Sequence, residues 1–282
     1  MEADDLMAPV NQADIDEKNS AFWNELCGSH MARSAGVTDD SPESLARFDK
    51  RYFDFYPYLF DHIPFAEMAG RKVLEVGLGY GTVGQRIAMS GAAYHGLDIA
   101  AGPVAMMEHR LGHLGLAGDL RQGSILAPPF AAGSFDWVVA IGCLHHTGDL
   151  AAAIGSVYDL LAPGGRAMVM VYNAASYRQW LRGPLATRRR LREDPATYSQ
   201  RIVAADERMR GTYDAGRDGS AAPQTEFVTA AELGHLCRAF SRCDVTLENI
   251  GGTILFIAGL RPLVCRLFGP FFGLDLYCRL TK

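Results

Sequence analysis

Gly77, Gly79 and Gly81 alternate with Leu78 and Tyr80 directly after the apolar run Val73-Leu74-Glu75-Val76, so one acid is carried into a buried strand that then breaks into a turn. Glycine permits φ > 0 and close backbone approach, and a helix behind such a turn aims free N–H groups and a positive dipole end at a ligand. This suits a small anionic or nucleotide-like molecule. Asp98, which follows Gly96-Leu97, is an acid of the kind that accepts ribose hydroxyls. The pair His145-His146 supplies groups that titrate near neutrality and can take a proton from a reacting hydroxyl.

Two spacings compete for the glycines. Gly79, Gly81 and Gly84 satisfy the G-x-G-x-x-G of a dinucleotide site, with Asp98 near the position expected of its ribose-binding acid. The form E-x-G-x-G-x-G instead begins at Glu75 and lets Gly77 end the strand.

The elements that position these residues follow from periodicity. Strands are expected over 71–77, 93–98, 120–123, 135–142 and 166–173, with helices over 81–90, 102–115 and 148–161. Their alternation implies βαβ crossovers and a parallel sheet covered on both faces. Residues 1–20 are polar and acidic and are expected to form a mobile tail. Ser41, Pro42 and Glu43 open a helix over 42–59 that carries Phe48, Tyr52, Phe53, Tyr56 and Tyr58. The arginine-rich stretch 174–227 is expected to be a helical insertion over the strand ends, and its Arg188-Arg189-Arg190 run a solvated face. A helix over 229–240 and strands over 243–250 and 274–280 complete the chain. The apolar stretch 254–273, interrupted by Arg261, Pro262 and Arg266, falls short of the about 20 uninterrupted apolar residues of a membrane span and is expected to be buried in the core or a dimer interface.

The run Glu75-Val76-Gly77-Leu78-Gly79-Tyr80-Gly81 with Asp98 resembles the first two motifs of the class I S-adenosylmethionine (SAM) dependent methyltransferases that act on small molecules. Gly123-Ser124-Ile125 with Pro128-Pro129-Phe130, Ser134-Phe135-Asp136-Trp137-Val138-Val139, Leu144-His145-His146 and Leu161-Ala162-Pro163-Gly164-Gly165-Arg166 are similar to the family's later segments, in order. The resemblance covers residues 70–173 and the flanks only loosely. It implies a Rossmann-like α/β fold: a mostly parallel seven-stranded sheet with helices on both faces and the last two strands antiparallel at the edge. The expected single domain, 21–282, divides into a helical lid (21–69), a SAM-binding core (70–173), the insertion (174–227) and a C-terminal part of the sheet (228–282).

The same resemblance implies SAM as cofactor and S-adenosylhomocysteine as product. Gly77, Leu78, Gly79, Tyr80 and Gly81 would meet its methionine and ribose portion, and Asp98 its ribose hydroxyls. Ile99, Gly123, Ser124, Ile125 and Ile141 would line the adenine side, where a serine stands in place of the acid many relatives carry. Glu75 would hold the turn or meet the ammonium through water, and Tyr52 and Tyr80 would lie against the sulfonium. His145 or His146 is the candidate base, and Trp23, Tyr172, Asn173 and Trp180 are candidate acceptor contacts. After the fourth strand the chain reads Ala140-Ile141-Gly142-Cys143, not the N/D-P-P-Y/F run of methyltransferases acting on bases or glutamine.

Composition agrees with a small-molecule acceptor. A net charge of −5 and a pI of 5.9 argue against a nucleic-acid partner. The six cysteines (27, 143, 237, 243, 265 and 278) are scattered without metal-ligand spacing, so they read as reduced thiols with no metal site, in a cytoplasmic protein without a secretory signal. Membrane contact is not expected, and the chain is expected to be a monomer or homodimer. The activity expected is methyl transfer to an oxygen of a small metabolite in biosynthetic tailoring. Three alternatives stand beside it: non-methylating chemistry on bound SAM, a non-catalytic partner subunit, and a dinucleotide oxidoreductase.

Overall fold

The computed structural model describes residues 11–26, 29–200, 206–251 and 261–282. Its strands are β1 (Lys72–Val76), β2 (Ala93–Asp98), β3 (Asp119–Gln122), β4 (Phe135–Ile141), β5 (Leu161–Asn173), β6 (Phe227–Val228), β7 (Arg242–Glu248) and β8 (Asp275–Thr281). They form one sheet in the order β3-β2-β1-β4-β5-β8-β7. The first five run parallel, and β8 lies antiparallel between β5 and β7. A dinucleotide fold would continue in parallel past β5. The strand not anticipated is β6, which extends the sheet beside the end of β5 through Tyr172↔Phe227 and Asn173↔Val228.

Neighbouring residues of each central strand feed opposite layers, as the two-residue repeat of a strand requires. Leu74, Val138 and Val169 pack with α7 (Leu150–Leu160) and α11 (Ala230–Leu236) on one face. Val73, Val139 and Met168 pack on the other with α4 (Leu59–His62), α5 (Thr82–Met89) and α6 (Ala101–Leu114). This is why these strands read as continuous apolar runs. The remaining helices are α1 (Gln12–Trp23), α2 (Ser29–Ser34), α3 (Pro42–Phe55), α8 (Tyr177–Arg182), α9 (Pro184–Arg190), α10 (Glu207–Gly211) and α12 (Arg261–Phe272).

Several boundaries differ from the sequence expectations. The expected tail ends early, because Asn11 caps α1 and Ile15 and Asn19 are buried. The helix expected over 42–59 breaks at Pro57: α3 closes with the Tyr56 N–H on Tyr52 O, and α4 restarts at Leu59. Arg190 leaves the solvated face expected of its run, and reaches the Phe227 carbonyl and Glu232. Of the apolar stretch, residues 254–260 lie outside the described residues, and the rest corrects the expectation of burial in the core of the chain. In α12, Cys265 and Gly269 are buried, yet Leu263, Leu267, Phe268, Phe271 and Phe272 are exposed. Among the described residues no helix is long and apolar enough to cross a membrane.

Candidate active site

The turn after β1 needs glycine for two separate reasons. Gly77 has φ +78°, and a Cβ there would stand 2.6 Å from the Cys143 Cβ. Gly84 has an ordinary helical backbone, but a Cβ there would meet Glu75 Oε2 at 2.2 Å and the Tyr94 hydroxyl at 2.3 Å. The G-x-G-x-x-G match therefore has a packing cause: Gly84 leaves room for a buried carboxylate beneath the first turn of α5. Glu75 accepts hydrogen bonds from the Tyr94 hydroxyl, at 2.5 Å, and from the Gly84 N–H. Burial pushes its pKa up to about 8, against the pull of those donors.

Asp98 is placed by β2 beside the same turn. Its Oδ2 accepts the Leu78 N–H at 2.7 Å and its Oδ1 the Ala100 N–H at 2.9 Å. Burial raises its pKa to about 6, with these and neighbouring N–H groups opposing the rise. A carboxylate has about four lone-pair positions. The N–H groups of Leu78 and Ala100, with those of Gly79 and Ile99 beside them, hold it to the turn, and the group still lines the cavity.

A buried ion pair that the sequence reading missed fastens the lid to this turn. Arg110 of α6 is 1% exposed and meets Asp49 of α3 through both terminal nitrogens, at 2.8 and 2.9 Å. Asp49 also accepts the Thr82 hydroxyl at 2.6 Å, and Arg110 donates to Gln85 at 2.7 Å. On the same side Phe48 stacks on Tyr80 with centroids 4.2 Å apart. An arginine on the helix face that carries Met107 and Leu111 was the available signal, but its partner lies 61 positions away.

These elements enclose a cavity of about 1080 Å³, part of it open to solvent. At one end stand Glu75, Gly77, Leu78, Gly79, Tyr80, Asp98 and Ile99, with Gly123, Ser124 and Ile125 beyond them. Thr147, His146 and the α1 residues Asp16, Asn19 and Trp23 line another part, with Tyr52, Ile141 and Cys143 between, Cys143 standing against Gly77. Gly81 is the N-cap of α5 and lies just outside the lining. Cys143 donates its thiol to the Val76 carbonyl, and burial pushes its pKa far above the usual range, so it is not a nucleophile. Among the described residues, the charged side chains of the lining are all acids: Asp16, Glu75 and Asp98.

His146 is held from several sides. Its Nδ1 is 2.6 Å from the Gln224 carbonyl, which requires the proton there, so the neutral ring carries its lone pair on Nε2. Nε2 faces Asp214 Oδ2 at 3.5 Å, and Tyr172 donates to the other Asp214 oxygen at 3.1 Å. Trp23 packs on the imidazole at 4.8 Å, and Asn19 Nδ2 donates to the His146 carbonyl at 2.7 Å. Burial pulls the His146 pKa below its usual value, and the Asp214 charge pulls it back up. Burial likewise raises Asp214.

The other expected residues fall elsewhere. His145 does not reach the cavity: its ring is packed at 4.2 Å against both His146 and Tyr172, and burial and His146 lower its pKa well below the usual range. Asn173 donates to the Gly273 carbonyl and accepts the Ala175 N–H, so it ties strand ends together and does not face an acceptor. Tyr172 acts one step back, through Asp214. Trp180, on α8, is not among the lining residues. Asp16, Asn19, Asp214 and Gln224 gave no sequence signal, since each matters only through a contact made across the fold.

Comparison with known proteins bears on this arrangement. A family described as a methyltransferase domain matches residues 73–165. The ubiquinone biosynthesis O-methyltransferase of Psychrobacter arcticus is 30% identical over 250 residues, covering 84% of this chain and 86% of that one. The protein of the same name from Azotobacter vinelandii is 29% identical over 179 residues, 61% of this chain and 64% of its own length. Among solved structures, the [4+2]-cyclase SpnF is similar with a TM-score of 0.53 at 14% identity, covering 98% of this chain and 97% of that one. A SAM-dependent methyltransferase from Methanosarcina mazei has a TM-score of 0.53 at 16% identity, covering 80% and 97%.

Proposed function

We propose an acceptor class and a catalytic base from one premise: this chain belongs to the SAM-dependent methyltransferases. The observation that carries the cofactor assignment is the acid-only charge of the lining. A sulfonium and an ammonium are favoured beside Asp98 and Asp16, with Glu75 held mostly protonated at neutral pH by its burial, whereas a pyrophosphate would meet carboxylates with no cation to offset them. The backbone of the Gly77–Gly81 turn and the Asp98 carboxylate at the cavity wall suit the methionine and ribose portion. Ser124, Ile99 and Ile125 suit an adenine ring held by an apolar slot and a hydroxyl. When bound, SAM supplies a methyl group made electrophilic by its sulfonium.

The acceptor read from the other end is a hydroxyl of a small molecule, and two relatives named O-methyltransferases support that choice. Trp23, Tyr52 and Ile141 offer it an apolar seat. Asn19 Oδ1, buried without a partner, offers an acceptor for a second polar group. His146 Nε2 is enclosed and turned to Asp214 in the unliganded chain, so the imidazole swings toward the cavity it lines to take the hydroxyl's proton, and Asp214 then stabilises the imidazolium. α1 and α3 keep water from the seat, so alignment and desolvation add to the base.

Calorimetric titration with SAM, S-adenosylhomocysteine and NAD(H), followed by assay of S-adenosylhomocysteine release with a panel of phenols, catechols and aliphatic alcohols, tests the reading. Binding of the first two alone and acceptor-dependent release support it. Binding of NAD(H) alone would sink the cofactor assignment. Release with amines but with no alcohol or phenol would sink the acceptor class, and conversion of a substrate without release would point to non-methylating chemistry.

A further inference from the structure

The thiols scattered along the sequence meet in the fold. Cys237 is the C-cap of α11, Cys243 lies in β7 and Cys278 in β8. In the antiparallel register Cys243 pairs with Leu280 and Cys278 with Val245, so the two cysteines are diagonal neighbours on one face, and α11 lays Cys237 over them. The three Sγ atoms lie within 4.8 Å of one another, with Cys243 and Cys278 at 3.2 Å. None of the three lines the cavity.

We propose that Cys237, Cys243 and Cys278 bind a divalent thiophilic cation of the zinc type, as a clamp between α11 and the antiparallel edge of the sheet. Three sulfurs bound to one ion at about 2.3 Å stand about 3.7–4.0 Å apart, a spacing bracketed by the observed separations, so side-chain rotation suffices. The donor set is all sulfur, which selects soft and borderline ions over magnesium or calcium. Three thiols each release a proton to solvent on binding, and the divalent charge leaves one net negative charge on the site. A monovalent ion would leave two, in a setting formed by the apolar neighbours Leu233, Phe240 and Leu280. Cys243 is half-buried while Cys237 and Cys278 are buried, so one side is open for the ion and for a water as fourth ligand.

Titration of the full-length, chelator-stripped protein with Cd²⁺, in a phosphine reductant, tests this through the sulfur-to-cadmium charge-transfer absorption. One equivalent is expected to saturate the band, Zn²⁺ to remove it in competition, and either ion to raise the melting temperature. Cys243→Ser, at the half-exposed position where folding is safest, should weaken binding by more than the ~10–100-fold that loss of a supporting group costs. A chain with residues 27, 143 and 265 changed from Cys to Ser should keep the full band. A missing band, a band unmoved by Cys243→Ser, or one that needs the other three cysteines would overturn the proposal.

Discussion

The two ends of the cavity are made in different ways. At the proposed cofactor end, Glu75, Gly77 to Tyr80 and Asp98 come from one strand, its turn and the next strand, where Gly77 and Gly79 present backbone alone. At the acceptor end, Asp16, Asn19 and Trp23 come from α1, His146 from the loop after β4, and its supports Gln224 and Asp214 from the insertion. The first construction can hold one cofactor whatever is done elsewhere. The second can be rebuilt, because exchanging α1 or the insertion alters the seat and leaves the glycine turn intact. If this division is correct, changes at the acceptor end alter turnover without altering cofactor affinity, and changes at the cofactor end do the reverse.

The largest expected effect tests that division directly. His146→Gln should lower kcat by ~10²–10⁴-fold, the usual range for loss of a general base, with the SAM Kd unchanged by calorimetry. A companion measurement fixes the role of Asp214. With His146 as the proposed neutral base, the rate should rise with pH through its pKa, which burial sets below the usual histidine value. The Asp214 charge raises that pKa, so Asp214→Asn should move the rising limb to lower pH and lower the plateau. A limb that stays in place would remove Asp214 from the proton path.

What could be read in advance follows the same line. The parallel core was legible because β1 and β4 are apolar runs and β1, β2 and β4 are each followed by a helix, and Gly77 and Asp98 sit at strand ends where sequence distance and spatial distance agree. Asp214 was not legible: nothing around Tyr213-Asp214-Ala215 has a period, and its meaning depends on the insertion folding back over His146. β6 is two residues long, below any periodic signal. The reading of His145-His146 as a pair with one base could not choose between them, since the choice rests on which ring the β4 loop turns inward. The exposure of Phe268 and Phe271 ran against their composition, which suits a core helix as well as a surface one.

The lid ion pair sharpens the comparison from the other side, since it joins α3 to the turn and belongs to neither end. Asp49→Ala leaves the Arg110 guanidinium buried beside Gln85 alone, and loss of one partner of such a pair costs about 3–5 kcal/mol. Denaturant unfolding should report a drop of that order. Full stability in the variant would mean that water solvates Arg110 and that the lid is not fastened there.

Asp98→Ala should weaken SAM binding by about 2–3 kcal/mol, the range for hydrogen bonds to a charged group, because ribose contacts are lost and Leu78 and Ala100 lose an acceptor. In the wild type the free carboxyl titrates at about 6, and hydroxyl donors favour its ionised form, so affinity should improve as pH rises through that value. Asp98→Asn should flatten the dependence. Affinity that is flat with pH in both proteins would remove Asp98 from the ribose.

Tyr80 gives the smallest effect and the finest distinction. It lines the cavity with its ring braced on Phe48, and a ring face near a sulfonium contributes about 0.5–2 kcal/mol. The product carries a neutral thioether at the same position, so this attraction is present for SAM and absent for S-adenosylhomocysteine, whereas contacts with Asp98 and the glycine turn are common to both. Tyr80→Leu should therefore weaken SAM by about 1 kcal/mol and leave S-adenosylhomocysteine nearly unchanged, narrowing the ratio of the two Kd values. Equal losses for both ligands would assign Tyr80 to packing alone, and the selection of the charged cofactor would then rest on Asp98 and Asp16.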